Sequence, residues 1–250
     1  MFNNIYNFLY NLFDSLNPLP FFICISIGYT LLFPISDFIL INISNTYYEY
    51  KKGRRCYILS NVLKALTLSF ISIYFTMCVY YGDINLINTN NWGSNQKVLK
   101  NMVAVYAITD TIPLLIDREK MMFSTIIHHV CVFLSYIYIV FSDLQQEGIF
   151  KSIIVYGGFS SLAYLVNLYL GCRFLINTDK YKKYLKKIAG LSYISSCGFN
   201  WTWQIYYLIL LFKYYYVNSM YFGYIKIIFL NVLIINWIKD DLVLIKHLIS

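Results

Sequence analysis

Along the chain, long apolar runs of helix length alternate with short polar or charged segments. Uninterrupted runs near 20 residues match a helix crossing a ~30 Å hydrocarbon core, whereas a membrane β-barrel needs alternating segments of ~10 residues. The pattern predicts helices over about Pro20 to Ile43, Ile58 to Tyr81, Leu99 to Ile116, Met121 to Phe141, Phe150 to Ile176, Ile188 to Phe212 and Tyr221 to Trp237. Pro34 predicts a kink in the first. The connections are SNTYYEYKKGRR, the Asn-rich GDINLINTNNWGSNQK, Asp117-Arg118-Glu119-Lys120 and TDKYKKYLKK. Because a helix bathed in lipid is apolar all round, helix is inferred from length and from the ban on unpaired backbone in lipid.

Composition turns this pattern into a class. Of the 250 residues, 59% are apolar and only 13% charged, against roughly 25% charged in a soluble domain. So few charges cannot cover a water-exposed surface, and the expected fold is an all-α polytopic membrane protein of about seven transmembrane helices with no soluble domain. The excess of 20 Lys and Arg over 12 Asp and Glu is read as topology, since cations gather on cytoplasmic loops, and nucleic acid is not an expected partner. With the N-terminus outside, 13 loop cations fall inside: Lys51, Lys52, Arg54, Arg55, Arg118, Lys120, Lys180, Lys182, Lys183, Lys186, Lys187, Lys239 and Lys246. Five fall outside, Lys97, Lys100, Lys151, Lys213 and Lys226. The N-terminus is therefore expected to be lumenal or exterior and the C-terminus cytoplasmic. The N-terminal stretch lacks the charged start of a signal peptide, and the six Cys, never spaced C-x-x-C, predict neither a disulfide framework nor a zinc site.

Ionisable groups at membrane depth are costly, which makes them the first candidates for function. They are Lys64, Asp110, His128, His129 and Arg173. At 1.5 Å per helical residue, all five lie roughly 5 to 14 Å in from the cytoplasmic loops, in one layer. Lys64 and Arg173 can equally snorkel or join helices. Adjacent helical residues point about 100° apart, so His128 and His129 are not expected to chelate one ion, and no metal is expected. A carboxylate beside a neutral imidazole instead orients the ring and raises its basicity. Such a base can deprotonate an amine or hydroxyl attacking a thioester, which is acyl transfer to a lipid.

Tyr106-x-x-x-Asp110 in VYAITDTIPLLI, a short charged loop, and His128-His129 in STIIHHVCVFLSYIYIV resemble the TLC domain, the multispan lipid-associated domain of ceramide synthases, translocon-associated membrane proteins and small lipid-regulating proteins. The preceding NVLKALTLSFISIYF and the later SSLAYLVNLYLGCRFL follow the order of the family's helices. The resemblance covers about residues 55–240, preceded by an N-terminal segment with the first helix and basic loop (1–54) and followed by a tail (241–250).

The resemblance implies six helices around a central lipid-facing cavity in an endoplasmic-reticulum or related membrane. It implies His128, His129 and Asp110 as candidate catalytic residues, with Lys64, Tyr106, Asn167 and Arg173 as candidate substrate-binding residues. No cofactor is expected, and acyl-CoA is the expected substrate of an acyltransferase reading. Expected partners are membrane lipids, with a homo-oligomer or other membrane proteins beside them. The chain departs from the synthase motif, whose downstream His-Asp and further acids are not supplied: Asp143 and Glu147 fall in a loop, and Ser160 or Ser161 stands where many non-synthase members carry Glu. The non-synthase members are therefore the closer resemblance. Two functions are expected: lipid binding in a helical cavity with acyl-transfer chemistry, or the same fold as a non-enzymatic lipid sensor, membrane-composition regulator or membrane-protein escort. A transporter would show inverted repeats, and the sequence has none.

Overall fold

The computed structural model describes residues 2–89, 92, 95–116 and 123–249. Among these the elements are all helical: α1 (Phe2–Asp14), α2 (Pro18–Ile43), α3 (Asn45–Tyr48), α4 (Lys52–Tyr81), α5 (Gln96–Ile116), α6 (Phe123–Val140), α7 (Ile149–Ser161), α8 (Tyr164–Cys172), α9 (Asp179–Val217) and α10 (Tyr221–Ile249). The predicted charged turn Asp117-Arg118-Glu119-Lys120, Met121 and part of the Asn-rich loop lie outside the described residues.

Three helices, α2, α4 and α5, are long and apolar enough to cross a membrane, and α7 with α8 make a fourth if the bent pair is one span. The sequence pattern predicts seven. The difference lies in α6, whose apolar stretch Thr125–Val140 is shorter, and in α9 and α10, which are not among those three helices.

Local chemistry sets the boundaries. Prolines 18 and 20 open α2 in its first turn, where a missing N–H loses no helical bond. Ser44 separates α2 from α3 and caps the latter, its hydroxyl accepting from the Tyr47 N–H at 3.2 Å. The predicted helix over Phe150 to Ile176 is broken at residues 162–163, where α7 and α8 meet at 45°. Neither Gly nor Pro marks that break. The backbone there turns on tight bonds, Leu162 N–H to Phe159 O and Ala163 N–H to Ser160 O, which leaves carbonyls around the bend with room for further donors. Hydroxyls supply them: Ser161 donates to Gly158 O at 2.6 Å, Ser196 to Phe159 O, and Ser192 to Leu162 O at 3.3 Å. Ser192 and Ser196 belong to α9, so the neighbouring helix completes the elbow.

The helices pack as hairpins, α5 against α6 and α9 against α10, with α2 on α5 and α4 running along α8. The approach of α8 to α4 depends on Gly171. A Cβ there would stand 3.1 Å from the Ile58 carbonyl oxygen and 3.2 Å from the Val62 nitrogen, both backbone atoms that cannot step aside. Gly158 on α7 likewise leaves room for the Phe75 ring of α4, which an added Cβ would meet at 2.2 Å.

One end of the bundle carries the basic loops. There Arg55 lies 3.7 Å from Asp37, Tyr50 donates to the Phe174 carbonyl, and Arg173 meets His247. At the opposite end, α1 docks by Tyr6 to Asp83 and by Lys97 to Asp14 at 2.9 Å. That end also holds Lys151, counted from sequence among the exterior loop cations. Its side chain is 0% exposed. The ammonium donates to Glu147 Oε1 at 2.9 Å and to the Thr89 carbonyl at 2.7 Å, and lies 5.5 Å from the Trp92 ring centre. Glu147 in turn accepts from the Tyr207 hydroxyl at 2.9 Å. The pairing satisfies a lysine the chain folds inward, since a buried charge persists only when paired.

Candidate functional site

Four of the five predicted membrane-depth ionisable residues converge. Asp110, on the inner face of α5, has a side chain 0% exposed. Lys64 comes from α4, and its ammonium donates to Asp110 Oδ1. From α6, His129 places Nδ1 3.3 Å from Asp110 Oδ1, and His128 places Nε2 3.9 Å from Oδ2. The two rings stand 5.6 Å apart, inclined at 75°. Counting the helical rise from the charged loops thus locates residues of three helices that meet.

The histidines divide their surroundings. His129 is buried beside the Lys64–Asp110 pair. His128 lines a cavity of about 500 Å³, measured with its open mouth, whose wall is mostly apolar (Ile71, Met102, Val132, Ile153). Tyr106, one turn before Asp110 on α5, and Tyr156 of α7 add hydroxyl groups to the wall, and Trp237 of α10 closes one side.

Sequence reasoning missed two further acids. His128 Nδ1 lies 3.4 Å from Asp240 Oδ2 on α10. The next residue, Asp241, accepts from the Tyr156 hydroxyl at 2.8 Å, the Tyr193 hydroxyl at 2.6 Å and the Trp201 indole at 3.2 Å. Ending the last predicted helix at Trp237 excluded both aspartates. The apolar residues after them, LVLI at 242–245, were the signal that the helix continues. Acids absent from the positions after His129 are therefore brought to the cavity's border from the last helix.

Arg173 does not join the group. It sits at the basic end of the bundle, where Nη1 meets His247 Nε2 at 3.2 Å and Nη2 donates to the Tyr57 hydroxyl at 3.3 Å. Asn167 is half-buried on α8, and none of the contacts around Asp110 includes it. Tyr57 and His247 each lie seven helical residues, about 10 Å of rise, from Lys64 and Asp240 of the cluster, so Arg173 stands nearer the basic end than the layer predicted for it.

The donor set also bears on metal binding. Asp110, His128 and His129 offer ligand atoms all within 4.8 Å of one another, so both adjacent imidazoles reach one carboxylate despite the 100° between their Cβ directions. Geometry alone therefore does not keep an ion out. Charge opposes it: the Lys64 ammonium already neutralises Asp110, and a divalent ion would have to displace or stand beside that cation in a poorly screened interior.

Chemically, the group offers a fixed ion pair, an imidazole held beside it, and a second imidazole between the pair and Asp240. Asp110 Oδ2 and the Nδ1 atoms of both histidines make no hydrogen bond of ordinary geometry among the described residues, so they retain capacity for a polar partner. His128 is the imidazole that a molecule in the cavity can touch. Compared with known protein families, curated proteins and solved structures, the chain matches none.

Proposed function

We propose that this chain is a TLC-type integral membrane protein that holds a lipid in its helical cavity, with the apolar chain against Ile71, Met102, Val132 and Ile153 and the polar end toward His128, Tyr106 and Tyr156. The observation that carries this reading is a mostly apolar, partly open cavity into whose wall His128, Tyr106, Tyr156 and Ser135 bring polar groups, the composition usual for ligand sites. In this reading all seven predicted helices cross the membrane, and the basic loops at one end of the bundle lie in the cytoplasm. An endoplasmic-reticulum or related membrane follows from the TLC resemblance alone.

Between the two forms of the function, lipid handling without turnover has the stronger support. Lys64 neutralises Asp110, and His129 does not line the cavity, so the His-His pair does not face a ligand as a unit. Acyl transfer remains the chemistry open to His128: with a carboxylate on Nδ1, its Nε2 can accept a proton from an attacking hydroxyl or amine. Metal plays no part in this proposal, given the ammonium on Asp110.

Mass spectrometry of lipids retained by the purified protein tests the reading. Wild type is expected to retain a chain-bearing lipid, and Gly157→Leu, which fills the cavity wall, to lose it while remaining monodisperse. Equal retention by both proteins would overturn the cavity as the binding site. Glycosylation tags at the two termini test the topology, and modification at the N-terminus alone is expected.

A further inference from the structure

The basic end of the bundle holds two guanidinium groups whose contacts among the described residues include no carboxylate. The carbon of the Arg173 guanidinium lies 4.8 Å from the Phe174 ring centre and 5.9 Å from each of Tyr57 and Tyr169. The Arg54 guanidinium lies 5.1 Å from the same Phe174 ring and 5.4 Å from Tyr50. Both cations are thus gathered on one phenylalanine by cation–π contacts, which fix a guanidinium's plane without neutralising its charge. The neighbouring arginine Arg55 differs, because it has Asp37. Arg173 also keeps a buried Nε without a hydrogen-bond partner, although its other nitrogens meet Tyr57 and His247.

These residues come from three parts of the chain. Tyr50 lies just before α4 and Arg54 in its first turn, Arg173 and Phe174 follow α8, and His247 ends α10. The Tyr50 hydroxyl bonds to the Phe174 carbonyl at 2.9 Å, tying the segments together. Lys51, Lys52 and the lysines of 180–187 add further positive charge at this end. Planar, always-charged guanidiniums with free N–H groups match phosphate oxygens in pairs, which a lone ammonium does not. A phosphate placed beside two such cations would meet charge-assisted donors from both.

We propose that Arg54 and Arg173, stacked about Phe174, form a binding site for a phosphate group, as carried by an anionic phospholipid headgroup at the cytoplasmic membrane face or as free phosphate. This site is separate from the cavity beside His128, and it rests on the membrane reading only for the lipid as source. The aromatic rings hold the cations at the edge of the apolar bundle. Headgroup phosphate reaches that depth while its chains remain among lipid.

The test uses the full chain in neutral detergent and measures binding of dioctanoyl phosphatidate, dioctanoyl phosphatidylcholine and inorganic phosphate. Phosphatidate is expected to bind about tenfold or more tighter than phosphatidylcholine, and Arg173→Gln and Arg54→Gln each to remove most of that preference, as the loss of a charge-assisted pair predicts. Arg173→Lys, which keeps the charge and loses the fork, should not restore it. Inorganic phosphate competing at equal concentration identifies free phosphate as a ligand; failure to compete, with phosphatidate still bound, identifies the lipid. Arg54 is exposed, so its variant keeps the test valid if Arg173→Gln unfolds. The proposal is overturned if wild type shows no preference, or if Lys187→Gln at the same end lowers it as much as either arginine variant. That last outcome would mark diffuse attraction of a basic surface. Loss of retained lipid in Gly157→Leu is a separate result, so this site and the cavity can fail independently.

Discussion

His128 Nδ1 faces Asp240 Oδ2 at 3.4 Å, joining the first half of α6 to the last helix beside the cavity. Its neighbour in sequence makes no such contact and turns to Asp110 at 3.3 Å instead. Two residues that look alike in the sequence are thus expected to behave differently when removed.

His129→Ala should lower stability by about 1 to 3 kcal/mol, the usual cost of disturbing a buried polar partner, with lipid retention following stability. His128→Ala should cost less stability, since its side chain is 24% exposed, and should release the retained lipid. Thermal unfolding with lipid mass spectrometry on both variants checks this. Equal effects on both readouts would refute the division of roles.

Lys64→Met leaves Asp110 ionised and buried without its ammonium. Breaking one side of such a pair costs about 3 to 5 kcal/mol, whereas replacing both partners by apolar residues is often near neutral. Lys64→Met should therefore be strongly destabilised and Lys64→Met/Asp110→Leu should recover most of the loss, as denaturation midpoints of the three proteins would show. A double variant as unstable as the single would mean that the ion pair is not the source of the cost.

Lys151 provides an independent check on the fold. Its ammonium is enclosed by Glu147, Thr89 and Trp92, so an amine-reactive reagent should modify Lys97, Lys213 and Lys226 well before Lys151 in the native protein. Lys151→Met should destabilise by about 3 kcal/mol through the stranded Glu147. Rapid modification of Lys151 in folded protein would contradict the placement of this end.

The docking of α1 should depend on pH. Lys97 and then Asn95 hold the Asp14 carboxyl below its ordinary range, so its contribution is fully present above the unfolded value and disappears as pH falls through the lowered folded value. The Tyr10 hydroxyl also accepts from Asn95. The protection of α1 amides relative to their intrinsic exchange rates should fall on acidification below the usual carboxylate range, and Asp14→Asn should flatten that dependence. An unchanged profile in the variant would assign the transition to another acid.

The sequence made the layer of Lys64, Asp110, His128 and His129 legible because helix rise converts residue number into depth, and charged loops mark zero. The same count fails for Arg173 because the predicted helix runs on to Ile176, whereas α8 ends at Cys172 and leaves Arg173 at the basic end. An apolar-run criterion ends a helix at its first charges, hiding Asp240 and Asp241, and a count of cations by loop says nothing of whether Lys151, at the start of its helix, turns inward. The break after Ser161 was illegible for another reason. Its carbonyls are satisfied partly by serines some thirty residues later, and a signal divided between two helices does not show in the local sequence of either.

That elbow has a consequence for synthesis. If α7 and α8 enter the membrane before α9, as their order in the chain dictates, the carbonyl of Leu162 arrives ahead of Ser192, which covers it in the folded chain, while that of Phe159 already accepts from Leu162 N–H and gains Ser196 later. An uncovered carbonyl in hydrocarbon costs several kcal/mol. Until α9 follows, the bend is unfavourable, and a nascent chain truncated before residue 192 should hold this segment straight. The final shape of one helix is therefore decided by the arrival of the next.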